Sequence, residues 1–127
     1  MTKIMLVDDE PDVSFLVTKI LGKNGYNVVE VKNGKDCLKR VKEEKPDLIL
    51  MDIMMPQING WEVSRKLKTN SETKNIPIVM LTVRVSDDSV EKSFEYALAD
   101  AHIGKPMETD YMLQVIEKTL SNNGGAS

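Results

Sequence analysis

Residues 48–52 read Leu-Ile-Leu-Met-Asp, and this stretch decides the fold. An unbroken run of apolar residues, with no polar residues alternating between them, is typical of a strand buried on both faces of a parallel sheet. The carboxylate of Asp52 then lies at the carboxyl end of that strand. Open α/β sheets bind their ligands at that edge, so the same stretch indicates where a functional site would be.

Similar runs occur on both sides of this stretch. The predicted strands are Lys3–Val7, Asn27–Val31, Leu48–Met51, Pro77–Leu81 and Ala101–Ile103. Segments with helical spacing separate them, and the predicted helices are 11–23, 35–44, 60–68, one from about Ser86 and one after Pro106. A strand followed by a helix, repeated five times, predicts an α/β fold in which helices cover both faces of a parallel sheet.

The first helix shows the spacing most clearly. Pro11 suits the first turn of a helix, where its missing N–H costs nothing, and Gly22 and Gly25 mark the end. An apolar stripe between these limits is predicted to face the core: Val13, Leu16, Val17, Ile20 and Leu21.

The length of 127 residues is typical of one domain. Hydrophobic residues make up 41% and charged residues 29%, which excludes a disordered or low-complexity chain. We expect a single domain over residues 1–121. A flexible tail is expected over residues 122–127, because these are Asn, Gly, Ala and Ser only.

Charge and residue counts exclude several functions. A net charge of −3 argues against a broad basic surface for nucleic acid. One cysteine and one histidine exclude a disulfide framework and the usual zinc sites. No apolar run approaches the ~18 residues of a membrane helix, and the apolar start of the chain is too short for a signal peptide. We therefore expect a cytoplasmic protein.

Polar side chains follow four of the five predicted strands. Asp8 and Asp9 follow the first, Asp52 the third, Thr82 the fourth and Lys105 the fifth. Three neighbouring carboxylates repel one another, and a divalent cation relieves that repulsion. Oxygen ligands without His or Cys favour Mg²⁺ or Mn²⁺. A carboxylate, a cation, a lysine and a hydroxyl are together suited to forming an aspartyl phosphate.

Five motifs along the chain resemble the receiver domain of two-component response regulators. They are Leu6-Val7-Asp8-Asp9-Glu10, the segment 48–56, Gly60, Val79-Met80-Leu81-Thr82 and Lys105-Pro106. They occur in the family's order over about residues 3–120, in a chain the size of stand-alone chemotaxis regulators. The resemblance implies a doubly wound, flavodoxin-like (βα)5 fold with a five-stranded parallel sheet in the order 2-1-3-4-5.

The resemblance also implies the chemistry of the site. Asp52 would accept a phosphoryl group from the phosphohistidine of a histidine kinase or a phosphotransfer protein. Mg²⁺ would be held by Asp8, Asp9, Asp52 and the backbone carbonyl of Met54, with one of the two adjacent aspartates acting through water. The domain would catalyse only its own phosphorylation and dephosphorylation.

The remaining motif residues are implied to convert phosphorylation into a signal. Thr82 would be the switch hydroxyl, Lys105 would pair with the phosphoryl group, and Pro106 would follow a cis peptide. The surface formed by the fourth helix, the fifth strand and the fifth helix would change and be recognised by an unknown downstream protein. Direct contact with nucleic acid or membrane is not expected, and the protein would be a monomer or a weak phosphorylation-dependent dimer.

Four residues depart from the family pattern. His102 stands three residues before Lys105, where the family has a Tyr or Phe that turns inward on phosphorylation. A lone histidine at a strand end is more often structural, so we favour that role and keep the switch role as the alternative. Val83 replaces a small residue and could narrow the pocket. Neither Met54 nor Arg84 can position a water as an acid or amide would, so slow loss of phosphate is expected.

Two other functions stay open as alternatives. A haloacid-dehalogenase-like phosphohydrolase would also form an aspartyl phosphate, but it needs an acid two residues after the nucleophile, where this chain has Met54. A receiver-like interaction module that takes no phosphate is compatible with His102 and Val83, although the complete acidic set argues against it. Nucleotide binding is disfavoured, because the chain has neither a P-loop motif nor a GxGxxG motif.

Overall fold

The computed structural model describes residues 2–82, 87–104 and 108–124. Strands and helices alternate along the chain, as the sequence predicts. The strands are β1 (Lys3–Val7), β2 (Asn27–Val31), β3 (Leu48–Asp52), β4 (Ile78–Thr82) and β5 (Ala101–Gly104). The helices are α1 (Pro11–Lys23), α2 (Gly34–Glu44), α3 (Gly60–Lys68), α4 (Asp87–Glu95) and α5 (Thr109–Gly124).

The strands form one five-stranded sheet in the order β2-β1-β3-β4-β5, and every neighbouring pair is parallel. The predicted fold class and strand order are therefore confirmed. Val7 of β1 lies opposite Met51 of β3, and Asp52 lies opposite Leu81 of β4. This register aligns the carboxyl ends of the three central strands at one edge of the sheet.

Helices cover the sheet on both sides and enclose two apolar cores. The core between the sheet and α2, α3 and α4, here the α2–α4 face, includes Met5, Val7, Cys37, Val41, Ile49, Met51, Val63, Leu67, Ile78 and Met80. The core between the sheet and α1 and α5, here the α1–α5 face, includes Ile4, Leu6, Val17, Leu21, Leu48, Leu50, Val79, Leu81, Met112 and Ile116. Successive strand residues point to opposite faces, which explains why the strands read as unbroken apolar runs.

Asparagine side chains fix the starts of two helices on the α2–α4 face. Asn33 accepts a hydrogen bond from the backbone N–H of Asp36 at 2.9 Å, and Asn59 accepts one from the N–H of Glu62 at 3.0 Å. Each bond satisfies a donor that has no partner within the first turn of its helix. Asn59 thereby holds the start of α3 close to the end of β3.

Two details differ from the sequence predictions. Leu16 is 53% exposed instead of facing the core, because the neighbouring apolar residues of α1 already fill the stripe that contacts the sheet. α5 continues to Gly124, into the segment predicted as a flexible tail. Residues 125–127 lie outside the described residues, and the predicted domain boundary stays a prediction.

None of the helices described is both long and apolar enough to cross a membrane.

Candidate functional site

Asp8 and Asp52 lie at the carboxyl edge of the sheet. Asp52 is the last residue of β3, and Asp8 directly follows β1, the neighbouring strand. Both side chains are buried, with 2% exposure for Asp8 and 3% for Asp52. A buried carboxylate loses its hydration, so it needs a proton, a cation or hydrogen-bond donors in compensation. The structure thus brings together two of the residues that the sequence analysis assigned to this edge.

Glu10 completes an acidic cluster with these two aspartates. One carboxylate oxygen from each of the three residues lies within 4.8 Å of the others. The turn after β1 is closed by the backbone N–H of Glu10, which donates to Oδ1 of Asp8 at 2.9 Å. Glu10 itself is exposed, so ions can reach the cluster from solvent. Three oxygen donors at this spacing suit a hard divalent cation.

The sequence analysis did not identify Glu10 as a site residue. Glu10 directly precedes α1, and its position next to Asp52 depends on the geometry of the turn. Its separation from Asp8 by a single residue was the one indication in the sequence. Asp9 is exposed and is not part of the three-residue cluster. It lines an open cavity of about 520 Å³ together with Met54, and its role as a metal ligand stays a prediction.

The loop after β3 is held against Asp52 by backbone contacts. The N–H of Met54 lies 3.4 Å from Oδ1 of Asp52, and the N–H of Gly60 donates to the carbonyl oxygen of Ile53 at 2.9 Å. Gly60 has no room for a side chain, because a Cβ atom there would lie 2.2 Å from the carbonyl oxygen of Asp52. The first turn of α3 therefore packs directly on the backbone of Asp52.

Thr82 is the last residue of β4, and it pairs with Gly104 of β5. Its backbone thus ends at the predicted edge of the sheet, while its side chain lies outside the described part of the structure. Residues 83–86 and 105–107 also lie outside the described residues. The predicted roles that fall there are those of Val83, Arg84, Lys105 and Pro106.

His102 contacts α4. It lies on β5, its side chain is half-buried, and its Nδ1 atom is 2.9 Å from the hydroxyl oxygen of Ser93. A partly buried hydrogen bond to a buried serine is typical of a structural histidine. The role of His102 as a switch residue stays a prediction.

The family of the chain follows from its match to a family model. Residues 4–117 match the model of the response regulator receiver domain. The chain belongs to the response regulator receiver domain family. The matched residues of this receiver domain include β3 and all of β1 except Lys3, and they also include the acidic cluster formed by Asp8, Glu10 and Asp52.

Small regulators are similar to this receiver domain over almost their whole length. It is 34% identical to Protein PilH of Pseudomonas aeruginosa over 122 residues, which cover 95% of this chain and 99% of that protein. It is 31% identical to sporulation initiation phosphotransferase F of Bacillus subtilis over 118 residues, which cover 93% of each chain. The chain also matches several longer regulators and spans about half of their length. One of these regulators is named as DNA-binding.

A solved structure supports the fold assignment. A response regulator receiver domain protein (CheY-like) from Methanospirillum hungatei superposes with a TM-score of 0.91 at 26% identity. The superposition covers 100% of this chain and 99% of that one. The fold of the described residues is therefore that of a receiver domain.

Proposed function

We propose that this receiver domain accepts a phosphoryl group on Asp52 from the phosphohistidine of a histidine kinase or a phosphotransfer protein. The observation that carries the proposal is the burial of the Asp52 carboxylate at the end of β3, inside an acidic cluster. Membership of the receiver family supports the same chemistry. So does the similarity to a Bacillus subtilis protein that is named a phosphotransferase.

In the proposed reaction, a carboxylate oxygen of Asp52 attacks the phosphorus atom of the donor. A P–O bond forms and the P–N bond of the phosphohistidine breaks. The electron pair of the broken bond returns to the imidazole nitrogen, which takes a proton from water. The product places a phosphoryl group beside the carboxylates of Asp8 and Glu10, so the site requires positive charge to stabilise it.

The carboxylates fit a hard divalent cation, Mg²⁺ or Mn²⁺. We propose Asp8, Asp9, Asp52 and the backbone carbonyl of Met54 as its ligands. Glu10 lies close enough to Asp8 and Asp52 to contribute a further oxygen. A bound cation neutralises charge on the phosphoryl oxygens. The chain's own contribution is to hold the Asp52 backbone in place through the tight contact with Gly60.

Two further residues would convert phosphorylation into a change of surface. Thr82 would donate a hydrogen bond to a phosphoryl oxygen, and Lys105 would pair with its charge. The surface formed by α4, β5 and α5 would change with them and be recognised by a downstream protein. We propose that the domain signals in the cytoplasm as a monomer or a weak phosphorylation-dependent dimer, without itself contacting nucleic acid or membrane.

Phosphorylation by a small phosphodonor tests the proposal. After incubation with phosphoramidate and Mg²⁺, intact mass measurement should show one added phosphoryl group on the wild type and none on Asp52→Asn. Asp12→Asn removes an exposed carboxylate in the first turn of α1 and should be phosphorylated like the wild type. Equal phosphorylation of Asp52→Asn would assign the reaction to another residue. Failure of all three proteins would instead support an interaction module that takes no phosphate.

Decay of the phosphorylated protein provides a second measurement. Because Met54 and Arg84 cannot position a hydrolytic water, the phosphoryl group should be lost slowly after the donor is removed. A half-life of only seconds would contradict this part of the proposal.

A calorimetric titration with Mg²⁺ distinguishes the two exposed acidic residues of the site. If Asp9 is a ligand, as proposed, Asp9→Asn weakens binding of Mg²⁺ more than Glu10→Gln does. The reverse order would show that Glu10 is the ligand in this chain. Asp12→Asn again serves as the control that changes the net charge equally but lies outside the cluster.

A further inference from the structure

Three polar side chains from three elements meet inside the α2–α4 face. Ser93 of α4 is fully buried, with 0% exposure. Its hydroxyl oxygen accepts a hydrogen bond from Nε1 of Trp61 on α3 at 3.0 Å. The same oxygen lies 2.9 Å from Nδ1 of His102 on β5 and 3.2 Å from the carbonyl oxygen of Ser89, one turn earlier on α4. One serine thus joins α3, α4 and β5.

The donors and acceptors around this hydroxyl determine where the proton of His102 lies. A serine hydroxyl has one proton to donate and two lone pairs to accept with. The indole N–H of Trp61 can only donate, and the carbonyl of Ser89 can only accept. If the Ser93 proton goes to that carbonyl, both lone pairs are filled by donors, and Nδ1 of His102 must carry a proton. If the Ser93 proton went to His102, two oxygen lone pairs would face each other at 3.2 Å.

We propose that Ser93 is a hydrogen-bond node that fixes α4 against α3 and β5 and holds His102 inward with a proton on Nδ1. The hydrogen bond made by a ring nitrogen sets the tautomer of a neutral histidine. His102 would therefore be an anchored side chain, and turning it outward would remove a donor from a buried hydroxyl. The inference goes beyond the phosphoacceptor function, and its test needs no phosphodonor.

Contacts outside the node keep α3 and α4 together when Ser93 is altered. The Nζ atom of Lys92 lies 4.6 Å from the centre of the Trp61 ring and 5.3 Å from that of Tyr96. The hydroxyl of Tyr96 donates to Glu62 of α3. Because these contacts do not involve Ser93, we expect Ser93→Ala to fold.

The chain contains one tryptophan and one histidine, so each gives an unambiguous NMR reporter. In ¹⁵N-labelled protein at alkaline pH, the ring-nitrogen resonances of His102 should show the proton on Nδ1 in the wild type. In Ser93→Ala, the form of His102 with its proton on Nδ1 should no longer predominate over the form with its proton on Nε2. The indole N–H of Trp61 should exchange with solvent about tenfold faster, as expected for the loss of one net hydrogen bond.

Two further variants separate the node from general packing. Ser64→Ala removes another fully buried hydroxyl, which donates to the carbonyl of Ala97, and should leave the His102 tautomer unchanged, whereas its lower stability also speeds exchange of the Trp61 N–H. His102→Phe keeps a ring at that position and should leave the Trp61 N–H protected, because Ser93 still accepts from it.

Three results would overturn the proposal. The first is a wild-type His102 with its proton on Nε2 alone, a result that needs no variant. The second is an unchanged pair of reporters in Ser93→Ala, and the third is an equal loss of the His102 tautomer in Ser64→Ala.

Discussion

The two faces of the sheet are packed in different ways. The buried hydroxyl residues that the structure describes, Ser64, Thr73, Ser89 and Ser93, all lie on α3, on α4 or between α3 and β4. On the α1–α5 face, the core cluster described is apolar. The hydroxyl of Thr18 on α1 is enclosed and has no hydrogen-bond partner among the described residues. The α2–α4 face therefore adds hydrogen bonds of buried hydroxyls to its apolar core, whereas the described core of the α1–α5 face is held by apolar packing.

This difference matters because hydrogen bonds depend on direction, whereas apolar burial does not. Helices joined by hydrogen bonds can pack in only a small number of arrangements. If one end of such a helix is displaced, its hydrogen bonds must break or change partners. The α2–α4 face also begins at the site, where Gly60 packs on the backbone of Asp52. We infer that geometric constraint is concentrated on the face that leads from Asp52 to α4.

The largest expected difference between the faces concerns one glycine on each. A Cβ atom at Gly60 would lie 2.2 Å from the carbonyl oxygen of Asp52, whereas one at Gly22 of α1 would meet nothing within 4 Å. Gly60→Ala should lower the free energy of unfolding by about 3 kcal/mol, because a backbone oxygen cannot move away easily. Gly22→Ala should raise it by about 0.5 kcal/mol through helix propensity. Urea denaturation measures both, and equal midpoints would contradict the tight contact at Asp52.

Removing one hydroxyl from each face should lower stability on the α2–α4 face only. The Ser64 hydroxyl donates to the carbonyl of Ala97 at 2.7 Å, so Ser64→Ala should destabilise the fold by about 2 kcal/mol. Thr18→Val removes a hydroxyl that has no partner among the described residues and keeps the shape of the side chain, so stability should be unchanged or higher by up to about 1 kcal/mol. Thermal unfolding provides the comparison. Destabilisation by Thr18→Val would mean that the α1–α5 face also depends on hydrogen bonds.

The parts of the fold that sequence could predict are those with a repeating physical cause. The run at residues 48–51 predicted a buried parallel strand, and the strand-end rule placed Asp8 and Asp52 at one edge. Glu10 was missed because its position depends on a turn. Leu16 was assigned to the core because the edge of an apolar stripe is not sharp in sequence. The node at Ser93 joins residues distant in the chain, so no local spacing could indicate it.

The single cysteine tests how completely the α2–α4 face excludes water. Burial raises the pKa of the Cys37 thiol to about 12. Above the ordinary thiol pKa, the unfolded chain loses this proton while the folded chain retains it. The unfolded state therefore binds fewer protons, and the free energy of unfolding falls by about 1.4 kcal/mol per pH unit in that interval.

Cys37→Ala isolates this contribution from those of tyrosine and lysine. The variant should show a shallower decline of stability between the ordinary thiol pKa and about pH 12, whatever its absolute stability. Chemical denaturation at a series of alkaline pH values measures the slope. Identical slopes for the two proteins would mean that water reaches the thiol in the folded state.

The smallest expected effect concerns backbone conformation, which also differs between the faces. The described non-glycine residues with positive φ are Lys45, Gln57 and Leu98, which follow α2, β3 and α4, whereas the turn after α1 uses Gly25 at φ 87°. Lys45 has a φ of 48° and its side chain is exposed, so its backbone strain can be removed without loss of packing. Lys45→Gly should stabilise the fold by about 0.5 kcal/mol. Gly25→Ala should destabilise it by about 1 kcal/mol. If both variants were destabilising, the side chain of Lys45 would have to stabilise the fold by more than its strained backbone destabilises it.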